Sequence, residues 1–162
     1  MLKRVLAAVV LLMIGVAAGL ALHLATSKGD TMFSGKRPDY LGLTDGKLPR
    51  CKRTPKCVSS QAEPSDAEHY IAPIPFKGSA VDAMAAVRKA IEAMERTTVL
   101  RHEANYLYAE VRSKLLGFVD DVEFTHDDKA GLIHVRSSSR LGRRDFGVNR
   151  ARVEALRARI EK

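Results

Sequence analysis

Phe-Val-Asp-Asp-Val-Glu-Phe at 118–124, His-Val-Arg-Ser-Ser-Ser-Arg at 134–140 and Gly-Val-Asn-Arg at 147–150 are the segments that decide how this chain folds. The first two alternate apolar and ionisable residues, the period-two signature of strands with one face on a core. Phe118, Val122 and Phe124 share one parity, while Asp121 and Glu123 take the other. In the next strand Ile133 and Val135 oppose His134 and Arg136. Asp127–Gly131 (Asp-Asp-Lys-Ala-Gly) reads as the hairpin loop between the two. Upstream, Asn105 to Arg112 alternates in the same way, with Leu107, Ala109 and Val111 against Tyr106, Tyr108, Glu110 and Arg112. Side by side, these strands make one apolar face and one face dense in opposite charges.

Working outward, Thr97–Leu100 turns to β-branched residues and begins a further strand. Ser79 to Arg96 reads as a helix, with Ser79 and Asp82 as a capping box and Val81, Met84, Val87 or Arg88, Ile91 and Met94 as its buried stripe. His69–Phe76 carries Pro73 and Pro75, which restricts it to an edge strand or an irregular extended segment. Ser138–Val148 is a loop, and Asn149 is placed to cap a last helix that buries Val153, Leu156 and Ile160. The expectation is an α+β domain of two layers, in the order β-α-β(4)-α, with an antiparallel sheet. TATA-binding-protein-like and helix-grip domains share that order, which carries no function with it.

Val5 to Leu22 has no charged side chain and follows Lys3 and Arg4. Such a run crosses a hydrocarbon core of about 30 Å, with its amino end in the cytoplasm. Two readings are open: a transmembrane anchor at 1–25, and a cleaved signal peptide, whose apolar core is ordinarily shorter. Either sends the remainder out of the cytoplasm; the anchor reading makes it a periplasmic domain on a single-pass inner-membrane protein. Residues 26–47, polar and glycine-rich, read as a linker, and 48–162 as the folded domain. Cys51 and Cys57 read as a local disulfide in an oxidising compartment, with two free thiols as the alternative.

The net charge of +8 is uneven: residues 136–162 hold nine of the 27 basic residues and three of the 19 acidic ones. A basic surplus of this kind meets lipid headgroups, phosphorylated ligands or acidic partners. The extracytoplasmic address argues against nucleic acid.

Cys-Lys-Arg-Thr-Pro-Lys-Cys-Val-Ser-Ser-Gln at 51–61, together with the 118–150 block, resembles the DUF1499 family. The family's pieces are Cys-Pro-x-Ser/Thr-Pro-Asn-Cys-Val-Ser-Ser, Phe-x-Asp-Asp-x-Glu-Phe, Arg-Ser-x-Ser-Arg-x-Gly and Asp-x-Gly-x-Asn-Arg. Their counterparts are Cys51, Thr54, Pro55 and Cys57–Ser60; Phe118, Asp120, Asp121, Glu123 and Phe124; Arg136, Ser137, Ser139, Arg140 and Gly142; and Asp145, Gly147, Asn149 and Arg150. Lys52 and Lys56 depart from the family's Pro and Asn. The resemblance spans about 48–160 and implies a secreted, lumenal or membrane-anchored protein, with no activity attached.

Three sites follow from the residues. Asp121, Glu123 and His134 on the charged face are candidates for general acid–base chemistry of a hydrolase or for metal ligation, although Arg112 and Arg136 on that face repel a cation. The alternative is a face laced by salt bridges. Asp120, on the apolar parity, demands a partner, expected from an arginine in 136–150 as a lock between sheet and loop. Arg136, Arg140, Arg143, Arg144, Asn149 and Arg150 are candidates to hold an anion at the start of the last helix; the alternative is that the carboxylates take up these arginines. Arg152, Arg157 and Arg159 offer that helix as a face for anionic lipid. The leading expectation is a non-enzymatic module for an anionic ligand or protein partner, with no metal and no cofactor.

Overall fold

The alternating segments are adjacent antiparallel strands in the computed structural model of the chain, which describes residues 33–161. The expected anchor at 1–25 lies outside the described residues. Among those described, no helix is long and apolar enough to cross a membrane.

The elements are β1 (Cys57–Ser59), β2 (Ile74–Pro75), α1 (Ala80–Glu92), β3 (Thr97–Glu103), β4 (Tyr106–Arg112), β5 (Val119–Asp127), β6 (Leu132–Ser139) and α2 (Val148–Ile160). The six strands form one antiparallel sheet in the order β1-β6-β5-β4-β3, with β2 also pairing with β6. The architecture is therefore α+β as expected, with one strand more than anticipated. The additional strand is Cys57–Ser59, which follows the turn at Pro55 and pairs with Arg136–Ser138 on the outer edge of β6. The proline-bearing stretch contributes only the two residues of β2, as a segment lacking donors must.

Both helices cover one face. Met84, Val87, Ile91, Val153 and Leu156 pack with Leu107, Ala109, Val122, Phe124, Ile133 and Val135 in a single apolar cluster. The Ser79–Asp82 capping box forms as expected. The phase of α1 differs slightly, since Val81 is exposed while Ala83 and Ala90 are buried. Two alanines on the inner stripe let α1 lie close to the sheet, which turns Val81 outward.

Asp120, Ser137, Asn149 and Arg152 are polar members of this layer, and all four are buried. Asp120 pairs with Arg152, one turn into α2 and just beyond the expected 136–150 stretch. Arg152 also donates to Asn149 Oδ1 at 2.5 Å and Ser137 Oγ at 2.9 Å. Asn149 is therefore a hub and not the helix cap: its amide nitrogen reaches Lys56 O, Ser139 Oγ and Asp145, tying β1, β6 and α2 together. Gly147, at φ 82°, takes the cap position.

Removing the carboxylate from Asp120 leaves the Arg152 guanidinium buried and unpaired. Asp120→Ala is expected to cost about 3–5 kcal/mol, read as a shifted urea midpoint with an unchanged slope. A midpoint at the wild-type position would show that Asp120 and Arg152 do not depend on each other.

Candidate functional site

The second face of the sheet is polar but hidden. Glu110, Asp121 and Glu123 are all buried, at 5%, 1% and 0% exposure, and Arg136 is equally buried. The register sets Glu110 beside Asp121, Tyr108 beside Glu123, and Glu123 beside Arg136. Three adjacent carboxylates are tolerable only if cations and hydrogen-bond donors satisfy them.

Arg140 supplies most of that compensation. Its guanidinium straddles Asp121, at 2.7–3.1 Å, and also reaches Glu110 and, at 3.0 Å, the Tyr108 hydroxyl. The Tyr108 hydroxyl lies 2.7 Å from Asp121 and 3.2 Å from Glu110. With one proton to donate, it serves Asp121 and accepts from Arg140. Glu123 accepts from Tyr106 at 2.8 Å and from Arg136 at 2.8 Å. Burial, then the charge of Glu123, pushes the Tyr106 phenol far up; burial and the bond to Asp121 do the same for Tyr108. Both remain neutral donors.

What shields this face is the stretch expected as a linker. Residues 33–47 lie over the sheet as a strap. Arg37 bonds Glu110 at 2.7–2.9 Å, the Gly42 N–H donates to Glu123 at 2.9 Å, and Tyr40 stacks over Arg136. Leu41 and Leu48 pack with Tyr106 and Tyr108 in a second small core. The strap is low in apolar residues because its main contacts are to carboxylates, so it has no hydrophobic period to read.

The structure separates the catalytic candidates. Asp121 and Glu123 are bound by arginines, while His134 faces Thr125, four residues along β5 from Asp121. At about 3.3 Å per residue that is roughly 13 Å. His134 Nδ1 instead lies 3.1 Å from Ser60 Oγ, which also accepts the Val135 N–H at 2.9 Å. Burial lowers the pKa of His134, so it is a neutral imidazole tying Ser60, just after β1, to β6. Among the described residues no group of three or more His, Cys, Asp or Glu side chains is arranged for a metal.

The anion candidates are likewise dispersed. Arg136 and Arg140 belong to the buried network. Arg150 donates to the Ala67 and Glu68 carbonyls. The start of α2, expected to attract an external anion, is already filled from within: Asp145 accepts from the Gly147 and Asn149 N–H groups at 3.1 and 3.0 Å. Burial raises the pKa of Asp145, but these bonds outweigh it and the net direction is down. Arg143 and Arg144 are exposed. On α2, Arg157 donates to the Pro73 and Ala72 carbonyls and Arg152 is buried, so the helix does not present the arginine face expected for lipid.

A different basic feature emerges, one that depends on the strap. The Cys51–Cys57 disulfide closes the loop before β1. Between that loop, the strap and the end of β6 lies a cleft of about 230 Å³, lined by Lys36, Arg37, Asp39, Tyr40, Lys52, Lys56, Asp121, Ser138 and Arg140. Arg37 and Arg140 are engaged by carboxylates, which leaves the three lysines as its free charge. Lys56 Nζ donates once, to the Arg140 carbonyl at 2.9 Å, and Lys52 Nζ sits 5.2 Å over the Tyr40 ring. Burial and then the nearby charge of Lys52 lower the pKa of Lys56. The sequence names Lys52 and Lys56 as departures from a pattern, but only the strap brings Lys36 and Tyr40 to them.

Compared with known proteins, residues 47–160 match the family model described as "Protein of unknown function (DUF1499)". No curated protein matches the chain.

The network predicts an acid limb in stability. Burial raises the pKa of Glu110, but bonds from Arg140 and Arg37 outweigh it and hold the carboxyl below the ordinary glutamate range. A depressed folded value stabilises fully above the unfolded value, near pH 4.3, and is lost as pH falls through the folded one. Unfolding free energy is expected to fall with acidification below about pH 4.3. Glu110→Gln is expected to be less stable at pH 7 and to show a shallower acid slope; equal slopes would remove Glu110 from the acid limb.

Proposed function

Since the chain belongs to the DUF1499 family, a family described only as being of unknown function, we propose a role from its own site: a membrane-anchored, extracytoplasmic, non-enzymatic module that binds a small anion in the lysine-lined cleft. The anchor is residues 5–25, with the amino end inside and the domain in the periplasm. The Cys51–Cys57 disulfide supports an oxidising address, and Lys3 and Arg4 support the orientation.

The observation that carries the ligand reading is the charge balance of the cleft. Its carboxylate Asp121 is neutralised by Arg140, and Asp39 is the other acid lining the cleft beside Lys36, Lys52 and Lys56. Multidentate anions such as carboxylates and phosphates suit that arrangement. Lys52 and Lys56 stand where the family pattern has uncharged residues, so the cleft's positive charge is largely a property of this chain. A binding role fits better than the hydrolase alternative, because Glu110, Asp121 and Glu123 are each taken up by arginine and tyrosine partners. The remaining Ser60–His134 pair has its serine oxygen occupied by the Val135 N–H.

Titration calorimetry of the detergent-solubilised full chain with inorganic phosphate, pyrophosphate and citrate tests this. At least one is expected to bind, more weakly in high salt, and Lys52→Gln/Lys56→Asn is expected to lower affinity about tenfold or more. An anion favours protonated Lys56, whose pKa lies below the ordinary lysine value. Affinity is therefore expected to decline as pH rises through that lowered value. If none of the three binds, or if the double variant binds as well as the parent, the reading fails.

A further inference from the structure

We infer that the end of the domain bearing the 113–118 loop and the start of α2 docks on a lipid surface with anionic headgroups. The inference rests on the anchor reading above, though not on the anion-binding cleft.

Large apolar side chains crowd this end. Leu115 is 91% exposed and Leu116 50% in the loop between β4 and β5; Phe146 is 93% exposed and Val148 52% where α2 begins. Single exposed apolar residues are ordinary, but a cluster marks an interaction surface. The residues share one end of the sheet. Ser113 and Val148 line the same cavity, and the Ser113 N–H bonds the Phe118 carbonyl. Phe146 also stands at φ 54°, a left-handed conformation that costs an L-residue energy and points to a functional constraint.

Cations edge the cluster, although exposed Glu68 lines a cavity with Phe146 and Arg144. Lys114, Arg143 and Arg144 are exposed there. Of the nearby acids, Glu95 pairs with Arg96 at 2.5 Å, and Asp145 is turned into the α2 N-terminus. The opposite end of β5 carries the hairpin with Asp127 and Asp128. The hairpin end mixes these acids with exposed Lys47 and Lys129, whereas Lys114, Arg143 and Arg144 accompany the apolar side chains, a pairing that suits a negatively charged leaflet.

The path of the chain agrees. Phe33 packs on Phe118 with ring centroids 5.3 Å apart, and Ser34 accepts from Arg112 at 3.1 Å. The described chain therefore begins at the basic, apolar end. Between Leu22, the last residue of the apolar run, and Phe33 lie ten residues. Fully extended they reach at most about 40 Å.

The chain has no tryptophan, so one introduced indole reports on its own site. Full-length Leu115→Trp protein is placed in nanodiscs of phosphatidylcholine and phosphatidylglycerol, with and without brominated acyl chains. Val81→Trp, exposed on α1, serves as the control. The expected result is blue-shifted Leu115→Trp emission quenched severalfold more by bromine than Val81→Trp emission. That excess should shrink when Lys114, Arg143 and Arg144 are changed to serine or phosphatidylglycerol is omitted. Equal quenching of the two indoles in loaded discs overturns the docking while leaving the anchor intact. A chain that stays soluble and does not load overturns the anchor and the docking with it. A blue shift that follows protein concentration and ignores bromine assigns the patch to a second copy and also overturns the inference.

Discussion

The fork of Arg140 between Asp121 and Glu110 is the interaction on which the polar half of this domain depends. It places a cation where two carboxylates from adjacent strands converge, with the Tyr108 hydroxyl as a third partner. Without it, the sheet face would require water, and the strap could not lie over it. With it, the strap needs to add little: one arginine to Glu110, one backbone N–H to Glu123, and an aromatic ring over Arg136. Arg140 sits just after β6, so its backbone also shapes the cleft, accepting from Lys56. Scaffold and candidate binding site thus meet in one residue.

The apolar half has a matching device. Asp120 is the one carboxylate on the helix side of β5, and Arg152 comes from α2 to neutralise it while also holding Asn149 and Ser137. Each face of β5 therefore carries buried acid answered by an arginine from beyond β6. This symmetry explains why the 118–150 region alternates so densely in charge. The groups lock the sheet to its two coverings.

Strand parity was legible in the sequence because period two is strict in β4, β5 and β6. The split of Asp120 from Asp121 and Glu123 follows from that alone. The partners were less legible. Counting arginines predicts that carboxylates will be matched, but it does not say that Asp120 takes Arg152 or that Asp121 takes Arg140. Asn149 looked like a cap because its type and position suit one; five side-chain hydrogen-bond partners made it a hub, and Gly147 took the cap. The strap was invisible for a physical reason. It docks through Arg37, a backbone N–H at Gly42 and one tyrosine ring, none of which leaves a periodic trace. The lysine cleft depends on the strap and was hidden with it.

The strap has a temporal consequence. Its bonds from Arg37 to Glu110 and from Gly42 to Glu123 span 73 and 81 residues of sequence. Residues 33–47 leave the ribosome before any of β4, β5 or β6 exists, yet have nothing to bind until those strands are paired. Closing loops of this length is entropically costly before the contacts repay it. The first part of the described domain to be synthesised is therefore among the last to reach its place, and until then the three carboxylates stay hydrated.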